Sequence, residues 1–165
     1  MSGLDWSVIP GSSCWRQGDV VAKHFRAQAD CPAGGTAQQM FRREAECLLA
    51  LQSSRFTPDV LGVNWEQMVV YMEWCGPVLA ERIDLLPAGW QGQLAVLSGE
   101  LQCAKVRYGD AKLENLCVRD GRLQLIDFGR AYIFGTHEPT AWVQEHARGD
   151  MDLMVAAVER ALVAA

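Results

Sequence analysis

Tyr108-Gly109-Asp110-Ala111-Lys112-Leu113-Glu114-Asn115 leads, through two short apolar runs, into Asp127-Phe128-Gly129. The runs at 116–119 and 122–126 are predicted strands. Asp120-Gly121 joins them, a pair suited to the two-residue type I′ turn that closes a tight hairpin. Taken singly, each piece is ordinary. Asp110 and Asn115 are common turn formers, and Asp-Phe-Gly can simply end a strand.

Upstream, short strands are predicted at 6–9, ended by Pro10-Gly11, and at 14–17 and 20–25 around Gly18-Asp19. A loop of small residues covers 29–35. A helix is predicted over 37–52, with Thr36 as its N-cap. Met40, Cys47, Leu48 and Leu51 form its apolar stripe, while Gln39, Arg42, Arg43 and Glu46 take the outer face. Glu44 falls on the apolar stripe. A carboxylate facing a core is costly unless paired, so Glu44 requires a cation from elsewhere in the fold.

Strands are also predicted at 60–63 and 67–72, with a turn near Asn64-Trp65, followed by a polar and apolar mixture over 73–86. Trp90, Leu94, Leu97, Leu101 and Ala104 mark a second helix at 89–105. The segment 151–164 is apolar nearly all round, with only Glu159 and Arg160 charged. It is expected to be a buried helix.

The chain has 165 residues, of which 50% are hydrophobic and 21% charged, with a net charge of −5. That is one domain's worth of chain and too apolar for disorder. A pI near 5.2 leaves no electrostatic footprint for nucleic acid. No apolar run approaches the roughly 18 residues that span a bilayer, and the N-terminus lacks the pattern of a signal peptide. A soluble intracellular domain is expected. The six cysteines form no CxxC pair and only three histidines accompany them, so reduced, buried thiols are expected rather than a zinc site.

In their order along the chain, these residues resemble the protein-kinase superfamily. That family combines a catalytic loop H-R-D-x-x-x-x-N with a strand lysine, a helix glutamate and D-F-G. Asp110 and Asn115 match the loop, and Asp127-Phe128-Gly129 matches the last element. Val20-Val21-Ala22-Lys23 resembles the lysine strand V-A-I-K, and Glu44 matches the helix glutamate. The resemblance implies an α+β, two-lobed fold. A small antiparallel sheet with one helix would form an N-lobe (about 1–72), followed by a hinge (73–76) and a truncated helical C-lobe (about 77–165).

It also implies a set of roles. Lys23 would hold the phosphates of ATP, oriented by Glu44. Asn115 and Asp127 would bind Mg²⁺, or Mn²⁺ in its place. Asp110 would accept the proton of the attacking hydroxyl, and Lys112 would face the transferred phosphate, as in Ser/Thr kinases. Backbone groups of Glu73 and Cys75 would meet adenine, with Val21 above it and Cys117 below. Asp152, or else Asp150, would hydrogen-bond the catalytic loop.

Three departures stand out. Pro10-Gly11-Ser12-Ser13-Cys14-Trp15 replaces the glycine-rich loop, leaving Ser12, Ser13 and backbone N–H groups to cover phosphates. Tyr108-Gly109 replaces histidine-arginine, which removes the usual dock for a phosphorylated activation segment, so activity independent of such phosphorylation is expected. The chain stops one helix after that segment, with Glu138-Pro139 as the remnant of A-P-E. The chain resembles compact kinases that some bacteria secrete as effectors, and also small phage or bacterial kinases. A Ser/Thr protein kinase, cytoplasmic or delivered into a host cell, is the implied function. A small-molecule or sugar kinase and an inactive pseudokinase serving as a binding module are the alternatives. A protein partner covering the shortened C-lobe is a further expectation.

Overall fold

Short strands, with Val-Val pairs in two of them, build an antiparallel sheet of five strands. The computed structural model describes residues 6–10, 12–26, 35–138 and 150–165. The sheet holds β1 (Ser7–Val8), β2 (Cys14–Gln17), β3 (Val20–His24), β4 (Val60–Asn64) and β5 (Val69–Glu73) in the order β1-β2-β3-β5-β4. The register sets Lys23 opposite Cys14 on one side and Val70 on the other. β1 is shorter than the predicted 6–9 because its residues lie exposed at the sheet edge.

Helix α1 (Ala37–Ala50) starts at Thr36, as expected. The Thr36 hydroxyl accepts from the Gln39 N–H while the Gln39 side chain accepts from the Thr36 N–H. This reciprocal cap satisfies two otherwise orphan donors and contributes about 1 kcal/mol. Met40, Cys47, Leu48 and Leu51 are buried and Glu44 is buried among them, as the stripe requires. Arg43 is not on an outer face: it is 4% exposed. It lies one residue round the helix from Glu44, on a flank that residues 132–138 cover, so α1 packs on two sides instead of one.

Helix α2 (Trp90–Cys103) buries Trp90, Leu94, Leu97 and Leu101, while Ala104 caps its end, partly buried. β7 (Leu116–Arg119) and β8 (Arg122–Leu125) form the expected hairpin. Asp120 and Gly121, at φ 52° and 71°, supply the two left-handed residues of a type I′ turn. Two further short strands, β6 (Val106–Arg107) and β9 (Tyr132–Ile133), pair with each other. The fold is α+β, with one continuous core running from the sheet and α1 through α2 to the β7–β8 hairpin.

The last helix, α3 (Asp150–Ala164), corrects an expectation. Only Asp150, Met154 and Val158 are buried, at four-residue spacing along one stripe. Leu153, Leu162 and Val163 are exposed, the last by 90%. Its composition is apolar all round, but its packing is that of a surface helix. Among the described residues, no helix is long and apolar enough to cross a membrane. The five described cysteines are free thiols; Cys47, Cys75 and Cys117 are buried, Cys14 is half-buried, and Cys103 is exposed against expectation.

Candidate active site

A cavity of about 840 Å³ lies between the sheet and the β7–β8 hairpin. One wall is the linker after β5. Gly76 has φ 89°, and a Cβ there would stand 2.1 Å from the Val118 carbonyl oxygen, so only glycine lets the linker lie this close to β7. The Val118 N–H donates to the Pro77 carbonyl and the Leu79 N–H to the Leu116 carbonyl, which fastens the linker down. Trp74 turns both its backbone groups elsewhere, its N–H to the Asp19 carbonyl and its carbonyl to the Arg119 guanidinium at 2.6 Å. Glu73 and Cys75, on either side of it, line the cavity.

The period of two along β3 brings Val21 and Lys23 to the same cavity, and Cys117 reaches it from β7. Lys23 is the cation that Glu44 required. Its Nζ lies 3.2 Å from Glu44 Oε1 and 2.7 Å from Asp127 Oδ1. Burial disfavours the ammonium, but Asp127 first and Glu44 next outweigh it, so the amine is held protonated well above its ordinary range. Burial would raise the Asp127 carboxyl, and Lys23 reverses this to hold it below the usual range. With 44% of its side chain open to the cavity, that attraction is partly screened.

Glu44 differs. Its side chain is wholly buried and neither oxygen has a hydrogen bond of good geometry among the described residues. Burial pushes its carboxyl up to about 7 against the opposing pull of Lys23. The Phe128 N–H lowers it electrostatically without meeting the geometry of a bond. Asp127 itself takes φ 63°, a left-handed backbone that short polar side chains tolerate.

Asn115 and Lys112 line the cavity and both bind Asp110. The Asn115 amide donates to the Asp110 carbonyl at 3.0 Å and to its Oδ2 at 2.9 Å, and Lys112 Nζ lies 3.0 Å from the same Oδ2. Arg130 sits 3.2 Å from Oδ1. Three donors thus fix a carboxylate whose side chain is 12% exposed. Arg130 was not singled out from the sequence, although it directly follows Asp127-Phe128-Gly129.

No protein-family model matches this chain, and no curated protein matches it significantly.

Tyr108 and Phe128 lie behind these groups, both fully buried, with ring centroids 5.1 Å apart at 72°. The Tyr108 hydroxyl donates to the Ile126 carbonyl at 2.5 Å, tying the loop at 108–110 to the segment that carries Asp127. The loop is held from below by Asp150, whose carboxylate accepts the Tyr108 and Gly109 N–H groups at 2.9 and 3.0 Å. Of the two candidates for this role, Asp150 fills it and Asp152 is exposed. Both lie in the first turn of α3, but only Asp150 shares the buried stripe with Met154 and Val158.

Burial raises the Asp150 carboxyl to about 6 even though those two N–H groups pull it down. The folded chain therefore binds this proton more tightly than the unfolded chain. The carboxyl's contribution to stability falls as pH rises from about 4 to about 6 and is level above that. Asp150→Asn is expected to remove this slope from urea titrations run across that range. Asp150→Ala strands two buried N–H groups and is expected to cost about 2 kcal/mol. Equal pH slopes in wild type and Asp150→Asn would exclude this role for the carboxyl.

At the other wall, the Ser12 hydroxyl closes its own turn, donating to the Ile9 carbonyl and accepting from the Cys14 N–H. Ser12 and Ser13 both line the cavity, but the Ser12 O–H is already spent there. Gly11 of this stretch and residues 27–34, which include most of the predicted 29–35 loop, lie outside the described residues, as does Pro139.

The metal sites that the sequence suggested, Asn115 and Asp127, fit a magnesium ion in a particular way. Both line the cavity, and Asp127 is ionised and partly open. Among the described residues no group of three or more His, Cys, Asp or Glu side chains could enclose a metal. One carboxylate and one amide oxygen suit an ion that keeps its waters and shares a phosphate ligand, as Mg²⁺ does.

Proposed function

We propose that the protein is a kinase-like phosphotransferase that moves the γ-phosphoryl group of ATP to a hydroxyl, with a Ser or Thr side chain of a protein as acceptor. The observation that carries this reading is the meeting of Lys23, Glu44 and Asp127 within ion-pair distance on the cavity that Asn115 and Lys112 also line. In this reading the sheet with α1 is the N-lobe, 73–76 is the hinge and the remainder belongs to the C-lobe.

The roles follow from charge. A transferring phosphoryl group spreads negative charge over its oxygens, so catalysis is mostly positioning and stabilisation. Lys23 holds the phosphates and Glu44 orients Lys23. Asp127 and Asn115 would hold a magnesium ion, which when bound would neutralise phosphate charge. The acceptor hydroxyl attacks the γ-phosphorus, the bond to the β–γ bridging oxygen breaks, and ADP leaves. The hydroxyl proton passes to Asp110, which Asn115, Lys112 and Arg130 keep in place. Lys112, bridging Asp110 and the cavity, steadies the charge on the group in flight. The backbone of Glu73 and Cys75 takes the adenine edge, between Val21 and Cys117.

The deciding assay is transfer from γ-labelled ATP with Mg²⁺ or Mn²⁺, alone and with casein, for wild type and Asp127→Ala. Label on protein with wild type only is the expected result. ATP loss that needs Asp127 but leaves no labelled protein would replace the protein acceptor with a small molecule. The absence of both label and ATP loss would overturn the enzyme reading in favour of a binding module.

A further inference from the structure

Glu44 is an unstable tenant of its site. It is wholly buried, and its oxygens lack hydrogen bonds of good geometry among the described residues. Desolvation works against its ion pair with Lys23 at 3.2 Å, and the pair forms only at this rotation of α1, which the buried Met40, Cys47 and Leu48 hold from one side.

The flank of α1 beside Glu44 meets the segment 132–138. The Arg43 guanidinium, itself buried, donates to the Glu138 carbonyl at 3.1 Å. Glu46 Oε2 lies 2.5 Å from His137 Nε2, and the imidazole is 6% exposed. The Ile133 N–H donates to His137 Nδ1 at 3.0 Å. Nδ1 is therefore the acceptor nitrogen, which puts the ring proton on Nε2, facing Glu46. Arg42 holds the other Glu46 oxygen at 2.7 Å. Positions 43, 44 and 46 lie within about one helical turn, so fixing two of them fixes the third.

The same segment reaches the other half of the site. β9 pairs Ile133 with Val106 and Tyr132 with Arg107, and Phe134 N–H donates to the Lys105 carbonyl. β6 then runs directly into Tyr108, Gly109 and Asp110. We propose that His137 is a positioning residue: with the Glu138 carbonyl it clamps α1 so that Glu44 meets Lys23, and it couples that pair to Asp110 without any added phosphate. Its catalytic consequence rests on the phosphotransferase reading, but its effect on the Lys23–Glu44 pair does not.

The test uses the full chain with His137→Ala, His137→Gln and Glu46→Ala. The first readout is the rate at which Lys23 is acylated by an amine-directed ester, followed by mass spectrometry without nucleotide. Release of Glu44 is expected to raise that rate about tenfold in His137→Ala. His137→Gln, whose amide can still donate to Glu46, is expected to stay within about threefold of wild type. The second readout is transfer, where His137→Ala is expected to lower kcat about tenfold with little change in the acceptor KM. In a Glu44→Gln background His137→Ala is expected to have no further effect on kcat, because its influence passes through Glu44. A merely structural role would lower activity equally in both backgrounds. Unchanged acylation in both His137→Ala and Glu46→Ala overturns the clamp, whether or not the protein transfers phosphate. Faster acylation in a chain whose wild type transfers nothing upholds the clamp and removes the enzyme reading instead. Should His137→Ala fail to fold, Glu46→Ala, which removes the acceptor and keeps the backbone contacts of the segment, decides the matter by the same acylation rate.

Discussion

On the phosphotransferase reading, Asp127→Ala is expected to lower phosphate transfer by about a thousandfold or more, because it removes the carboxylate that lies between Lys23 and the cavity, where the phosphates and their metal ion would be held. Lys23 keeps Glu44 at 3.2 Å, so the cation is not stranded. Alanine at φ 63° adds a backbone cost of about 1 kcal/mol, since it lacks the short polar side chain that eases a left-handed residue. Asp127→Asn separates the two effects. Asparagine tolerates that backbone and keeps the shape, so it is expected to melt nearer wild type and yet to be as inactive as alanine. The measurement is labelled transfer beside thermal unfolding for the three proteins. Turnover within a few fold of wild type in either variant would remove Asp127 from the chemistry.

What the sequence made legible was whatever depends on near neighbours. The β7–β8 hairpin follows from Asp120-Gly121, and the start of α1 from Thr36 with Gln39 three residues on. The stripe of α1 placed Glu44 inward and so demanded a cation, which Lys23 supplies. The β2 boundaries were read without error because Gly18-Asp19 marks the turn. The failures share a cause of the opposite kind. Arg43 meets Glu138 across 95 positions and His137 meets Glu46 across 91. No periodicity announces such partners, so Arg43 read as a solvated arginine and His137 as nothing in particular. Arg130 is 20 positions from Asp110 and equally silent. Apolar composition likewise predicted full burial of α3, whereas its packing buries only the stripe of Asp150, Met154 and Val158. The carboxylate beneath the loop at 108–110 proved to be Asp150, and helical register was the only signal that could have separated it from Asp152.

Lys23→Met is expected to abolish transfer and also to change how stability depends on pH, and the second effect tests the site independently of any substrate. In wild type the buried Glu44 carboxyl is raised to about 7, above its unfolded value of about 4.3. The folded chain therefore holds that proton more tightly, and the group's contribution to stability falls as pH rises from about 4 to about 7. Lys23 limits the fall by favouring the charged form. Without Lys23 the Glu44 carboxyl rises further, so the loss grows and extends above neutrality. Asp127 changes in the same sense. Lys23 holds its carboxyl below the unfolded value, a stabilisation present above about pH 4, and that too disappears. The penalty of Lys23→Met is thus expected to be small near pH 4 and about 3 kcal/mol at pH 8, at the lower end for a broken buried pair because Asp127 is partly open. Lys23→Met with Glu44→Met replaces the buried pair by apolar groups of similar size. This double variant is expected to regain most of the stability at pH 8 while remaining inactive. Urea unfolding of the three proteins from pH 4 to 8, without nucleotide or metal, measures this directly. A Lys23→Met penalty that is the same at both ends of the range would mean that packing of the lysine stem, and not its charge between Glu44 and Asp127, holds this part of the fold.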